Sequence, residues 1–142
     1  MYGYNSSKTL ETNISGFLML YKMCMEMLDQ KVSVTREWID SGTAQIQLTD
    51  QSYVMVETQS KSDYSDITEV LFYAISENDN NMAMARYSMF STIYAFDYEL
   101  GVDKVLDLVM NILPDKGEYT SSFCHYKFVM VYNVMMLTIS PK

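Results

Sequence analysis

The most apolar stretch of the chain lies near its middle, from residue 81 to residue 96, and carries a single charge, Arg86. Apolar side chains recur there at steps of three and four residues, which places them on one face of a helix. They are Met82, Ala85, Met89, Ile93, Phe96 and Leu100. The opposite side, with Met84 and Tyr94, is scarcely more polar. Because a helix that is apolar nearly all round is normally buried on every side, residues 81–100 are predicted to form the central helix of a bundle.

Three other segments show the same helical spacing, but on one side only. Residues 9–28 carry an apolar stripe that predicts the first helix of the chain. Residues 67–74 carry a shorter stripe, which predicts a helix directly before the central one. Residues 102–113 separate apolar from polar positions most regularly, and Pro114 and Gly117 are expected to end that helix.

The segment between residues 45 and 57 has a different pattern. Residues 45–49 and 53–57 are rich in residue types that favour strands, such as Ile, Val, Thr and Tyr, and by local propensity they predict a β-hairpin. Short apolar runs do not decide between helix and strand, and residues 128–139 are open in the same way. If the hairpin is real, the fold class is α+β and not all-α.

Composition and charge narrow the choice of function. The length of 142 residues favours one domain, residues 1–142, that is large enough to bury a core. The net charge of -8 and the scattered basic residues argue against a nucleic-acid partner, which needs a basic surface. Cys24 and Cys124 are too few for a disulfide scaffold, and we expect both to be small buried hydrophobes in a reducing compartment. The many Met and Tyr residues fit either a core or an apolar binding groove.

The residue types that enzymes most often use are scarce or badly placed. His125 is the only histidine and is next to Cys124, but adjacent residues on a regular element point apart, so they do not form a nucleophile and its base. These two residues are also too few to bind zinc. The five glycines lie too far apart for a loop that cradles phosphate. We therefore expect neither an enzyme nor a metal or cofactor site.

Several motifs follow one another in residues 66–123. A Leu-Phe pair (residues 71–72) precedes a polar break, Asn81 opens the apolar segment, and a Gly and an aromatic residue follow the amphipathic segment in residues 114–119. This order resembles the Bcl-2 family, which has a Leu-Phe pair in its fourth helix and an Asn-Trp-Gly-Arg start to a hydrophobic fifth helix. Met82 stands where that family has Trp, a divergence similar to that of its virus-encoded members.

The resemblance implies an all-α, Bcl-2-like helical bundle with a hydrophobic groove. In that family the groove receives the BH3 helix of a host pro-apoptotic protein, and an arginine near the start of the fifth helix pairs with an aspartate of the ligand. The implied function is inhibition of apoptosis by sequestering those proteins. By residue match, the side chains that would bind the BH3 helix are Ile67, Leu71, Asn81, Met82 and Phe90. The position that matches the family's arginine is Met84, and Arg86 lies two residues further on; with a shifted register or an irregular first turn, Arg86 is expected to make the charge contact with the ligand. The alternative is a groove-less homodimer of the same fold that blocks host innate immune signalling.

The carboxyl-terminal apolar run bears on localisation. A membrane-spanning helix needs about 20 apolar residues, and residues 128–139 are too few. We therefore expect no stable membrane anchor, and a cytoplasmic protein of the host cell that is at most peripheral at mitochondria.

Overall fold

A computed structural model describes residues 8–32 and 34–142 of the chain, and in that part seven strands form one antiparallel sheet. The strands are β1 (Thr35–Trp38), β2 (Thr43–Thr49), β3 (Ser52–Thr58), β4 (Ile67–Ile75), β5 (Glu118–Thr120), β6 (Cys124–Val131) and β7 (Val134–Pro141). Their order across the sheet is β1-β2-β3-β4-β7-β6-β5. The central neighbours β4 and β7 are thus far apart in sequence, and helices lie between them along the chain.

Two long helices accompany the sheet. They are α1 (Ile14–Met27), before the first strand, and α2 (Asp79–Phe96), after β4. A short 3₁₀ turn (Tyr98–Leu100) then leads to α3 (Val102–Asp107), which continues through five residues of π-helix (Leu108–Ile112) into α4 (Leu113–Lys116).

The last helical run continues past the proline that was expected to end it. Pro114 has no N–H, and its ring crowds the carbonyl four residues earlier in a regular α-helix. The wider π turn (Leu108–Ile112) ends two residues before Pro114 and includes Met110, four residues before the proline, so it relieves that crowding. Gly117, with φ of 74°, then ends the helix in the left-handed conformation.

The expected all-α, Bcl-2-like bundle is wrong, because the fold is α+β. Residues 45–49 and 53–57 do form a hairpin, in which Gln45 of β2 lies opposite Met55 of β3. Residues 128–139, which were left open, belong to a second hairpin made of β6 and β7. The hairpin in residues 45–57 was the condition on which the all-α expectation depended, and because that hairpin is present the fold class is α+β.

The predicted helix in residues 67–74 is also wrong, since this segment is β4. A β-bulge explains the error: Glu57 lies opposite Glu69, but the next residue, Thr58, lies opposite Ile67. The extra residue on β4 turns both Ile67 and Val70 toward the core, three residues apart. That spacing imitates one face of a helix, while the β-branched and aromatic composition of the segment favours a strand.

The helices cover only one face of the sheet. Phe17 of α1 stacks on Phe96 of α2 with ring centroids 4.9 Å apart, and both rings lie in the core. On β2, β3 and β4 every second side chain is buried, apart from the bulge, and most of these side chains join that core. The sheet residues that are fully buried include Ile46, Leu48, Val54, Val56, Val70, Phe72, Leu137 and Ile139. The other face of the sheet has no helix over it in the described part of the chain.

The predicted first and central helices are present, but α2 is not buried on every side. Ala85, Met89 and Ile93 face the core, whereas Ala83 and Tyr87 on the outer side are exposed. Among the described helices, none has both the length and the apolarity that crossing a membrane requires.

A chain of buried hydroxyl groups joins the two long helices to the sheet. The Tyr21 hydroxyl is 2.7 Å from Ser88 Oγ, which lies 2.9 Å from Ser52 Oγ of β3. Ser52 Oγ is in turn 2.6 Å from Thr49 Oγ1 of β2. Because each of these four hydroxyl groups has a partner, this series of hydrogen bonds fixes α1, α2 and the β2–β3 hairpin relative to one another. Burial raises the pKa of Tyr21 to about 12.

This raised pKa makes stability sensitive to alkaline pH. Between about pH 10 and about pH 12, Tyr21 keeps its proton in the folded state and loses it in the unfolded state, so stability falls as the pH rises. We expect the free energy of unfolding to fall by roughly 2–3 kcal/mol over this window on account of Tyr21. Urea unfolding at several pH values in this window measures that fall, and the free energy of unfolding should fall clearly less for Tyr21→Phe than for wild type. Equal losses in both proteins would contradict this account.

Candidate functional site

An apolar groove runs along the outer side of the helix layer, between α2 and α3. Its volume is about 380 Å³, its wall is almost wholly hydrocarbon, and Arg86 is the one charged residue that lines it. The groove is lined by Leu28, Ala83, Arg86, Tyr87, Phe90, Val102, Leu106, Val109 and Met110. This volume lies within the range of sites that hold ligands, about 300–1,000 Å³.

The groove follows from the helical spacing of two neighbouring segments. On α2, Ala83, Tyr87 and Phe90 stand three and four residues apart, which sets them on one side of the helix. Val102 and Leu106 have the same spacing on α3, and the chain reverses between the two helices at Gly101, which has φ of 86°. The two stripes face one another across a gap that no other described segment fills.

The side chains of this groove are unusually accessible for their type. Val102 is 52% exposed, Leu106 is 49% exposed and Met110 is 42% exposed. A single exposed apolar residue on a protein surface is ordinary, but a contiguous set around a concave surface marks an interaction site.

Arg86 is the one basic residue of α2 and lies in the wall of the groove. Its side chain is partly buried, and among residues 8–32 and 34–142 no carboxylate is within 4.0 Å of it. Its lining neighbours are apolar. A guanidinium that loses water needs an anionic partner, and Arg suits a planar carboxylate best. The groove therefore combines an apolar wall with one unpaired positive charge.

The structure brings only some of the sequence-derived site residues together. Arg86 and Phe90 line the groove, while Asn81 and Met82 lie near the start of the same helix and are partly buried. Ile67 is fully buried between the sheet and the helices, and Leu71 points to the opposite face of the sheet. Two of the six thus line one surface. The resemblance had assigned all six to a groove formed by the second to fifth helices of a bundle, and that bundle is not the fold observed.

Sequence reasoning missed the wall that α3 supplies. The apolar residues of 102–113 were described as one side of an amphipathic helix, but Val105 and Leu113 are buried whereas Val102 and Leu106 are exposed. The width of that stripe is normal for a helix that packs on a core, so the sequence contains no signal for the exposed part. The exposed residues form the groove wall.

A second polar cluster, at the carboxyl end of α2, has a structural role. The buried carboxylate of Asp97 accepts hydrogen bonds from Ser121 Oγ and, at 2.8 Å, from the Tyr126 hydroxyl. Burial, and secondarily the charge of Asp97, raises the pKa of the Cys124 thiol to about 12. Burial also raises the pKa of Tyr126. Cys124 is thus a buried thiol rather than a reactive thiolate, and Cys24 is buried as well.

Comparisons with protein-family models, curated proteins and solved structures find no significant match to this chain. The resemblance to the Bcl-2 family gains no support from them, and the fold that it implied is not the fold observed. Function is therefore inferred from the groove itself.

A matched pair of leucines tests whether Leu106 lies on the groove surface or in the core. Leu106 lines it, whereas Leu113, on the same helical run, is fully buried in the core. We expect Leu113→Ala to lower the free energy of unfolding by about 2–5 kcal/mol, because it leaves a cavity. Leu106→Ala should change it by no more than about 0.5 kcal/mol. Chemical denaturation measures both, and similar losses would mean that Leu106 belongs to the core.

Proposed function

We propose that this chain is a protein-binding domain whose groove between α2 and α3 receives an amphipathic helix of a partner protein. The observation that carries the proposal is the unpaired Arg86 in an otherwise apolar, open groove. Helix-in-groove recognition uses an apolar helix face whose anchors recur every three or four residues. An acidic residue beside those anchors would meet the guanidinium.

The chemistry of the groove sets the character of the ligand helix. Its buried face needs medium-sized apolar side chains to replace water at exposed groups such as Leu106 and Val102. One carboxylate at the edge of that face would form a bidentate pair with Arg86. Because the domain has a net charge of -8, basic residues on the solvent side of the ligand would speed its association.

BH3 helices meet the requirement for an apolar face with an acidic residue. Sequestration of pro-apoptotic proteins therefore stays a prediction, although the Bcl-2-like bundle that implied it is not the fold observed. The groove supports the coarser function, which is capture of an amphipathic helix. BH3 peptides are one class of ligand to be tested among others.

Titration of the full chain with labelled amphipathic peptides, BH3 peptides among them, tests the proposal by fluorescence anisotropy. At least one class should bind saturably at micromolar concentration, and Leu106→Glu, which puts a charge in the groove, should weaken that binding at least about tenfold. Met19→Glu makes the same chemical change at an exposed site of α1 and serves as control. Absence of binding by every peptide, or equal losses in both variants, would overturn the proposal.

Arg86→Ala separates ligand binding from a scaffold role. Loss of a charged hydrogen bond should weaken peptide binding by about 1.5–3 kcal/mol, while the melting temperature changes little, because Arg86 has no ion-pair partner among the described residues. Arg36→Ala is the control, since Arg36 pairs with Asp63 away from the groove. Replacing the acidic residue of the peptide by its amide should weaken binding to the wild-type protein more than it weakens binding to Arg86→Ala. Unchanged affinity with a large drop in melting temperature would assign Arg86 to the scaffold.

A further inference from the structure

The face of the sheet that the helices leave open is unusually apolar at its centre. An antiparallel sheet with one solvated face normally alternates apolar residues inside with polar residues outside. Here the outward positions of the four central strands are largely apolar and only partly buried or exposed: Tyr53, Met55, Leu71, Tyr73, Val129 and Met136. We call this set the open-face patch. Its two tyrosine rings stack on each other with centroids 5.1 Å apart.

The patch is continuous across the strands. Tyr53 lies opposite Tyr73, Tyr73 opposite Met136, and Met136 opposite Val129, so one row crosses β3, β4, β7 and β6. Ile75 and Val131 lie beyond this row at the end nearest the β6–β7 turn, and both are exposed. A continuous apolar surface on this scale is a mark of an interface rather than of a solvated sheet face.

Charges on the same face are arranged in an unfavourable way for an isolated chain. Glu57 and Glu69 are direct cross-strand partners, and like charges in that position repel. In the part of the chain that the structure describes, neither forms an ion pair. Lys127 lies on the same face of β6, also without an ion pair among those residues. Three strand spacings, or about 14 Å, separate β3 from β6, so Glu57 and Lys127 of one chain do not meet.

We infer that the open-face patch is the interface of a homodimer, in which the sheets of two copies pack face to face. A twofold axis parallel to the strands, between β4 and β7, places β4 over β7 of the partner and β3 over β6 of the partner. Apolar residues then lie over apolar residues. The acidic pair of one copy comes close to Lys127 in the second copy. An axis perpendicular to the strands, through the middle of the face, would instead place the glutamates over the apolar end at Ile75 and Val131, which is costly.

The open face of the sheet, with the open-face patch at its centre, is large enough for such a pair. Strands spaced about 4.8 Å apart, with about 3.3 Å per residue, give four or five strands a face of roughly 500–650 Å². Two copies would bury roughly 1,000–1,300 Å² together, which reaches the lower part of the range for specific interfaces. The grooves between α2 and α3 would lie on opposite outer sides of the dimer, so this inference does not depend on the proposed function.

Sedimentation equilibrium or light scattering of the full chain tests the inference directly. The expected result is a mass twice the 16.4 kDa of one chain at high concentration, with a dissociation constant that Tyr73→Glu raises at least about 100-fold. Met19→Glu, on the exposed side of α1, should leave the dissociation constant unchanged. A monomer at every concentration, or equal effects of both substitutions, would overturn the inference, and a different partner for the patch would then be required.

A charge exchange identifies the orientation of the two copies. Lys127→Glu should weaken the dimer at least about tenfold, because it adds a third acid to the facing pair. Combining it with Glu57→Lys should restore the dimer to within a few-fold of wild type. Because the two sites are about 14 Å apart within one chain, such a rescue reports a contact between copies. Additive weakening in the double variant would contradict this arrangement. Circular dichroism of each variant excludes unfolding as the cause.

Discussion

The contact between the two long helices and one face of the sheet holds this fold together. Phe17 and Phe96 stack within it, and the fully buried side chains of the sheet lie beneath it. Apolar burial of this kind is the main favourable term in folding. Its geometry also has a limit, because helices on one side of a sheet leave the other side uncovered. The open face of the sheet arises from that limit. The groove lies on the outer side of the helix layer, between α2 and α3.

Polar groups inside the contact determine the position of α2. The hydroxyl chain from Tyr21 through Ser88 to Ser52 fixes the middle of the helix, and Asp97 fixes its end through Ser121 and Tyr126. Buried hydrogen bonds contribute little net stability, but a mispaired arrangement is expensive. They therefore select one orientation of α2 on the sheet. In that orientation Arg86 and Phe90 face outward, toward α3.

Local pattern was sufficient to predict the helices and the first hairpin. The stripes of residues 9–28, 81–96 and 102–113 all correspond to helical segments, and β2 and β3 agree with their local propensity. Local pattern did not predict β4, because the bulge beside Ile67 produced a false helical spacing. It also did not predict the pairing of β4 with β7, because that pairing depends on contacts between residues far apart in sequence. Of the site, Arg86 was predictable as a charge on an apolar helix that lacks a local acid. The α3 wall of the groove was not, because sequence alone does not say how much of an apolar stripe a core will cover.

The methionine side chains allow the central claim, that the groove binds a helix, to be tested in one measurement. Methyl NMR of the full chain labelled at methionine methyl groups reports on the groove through Met110 and on the open face of the sheet through Met55 and Met136. Addition of a binding amphipathic peptide should shift or broaden the Met110 signal and leave those of Met55 and Met136 unchanged. Changes at Met55 and Met136 with none at Met110 would contradict the account, because the ligand would then lie on the sheet and not between α2 and α3.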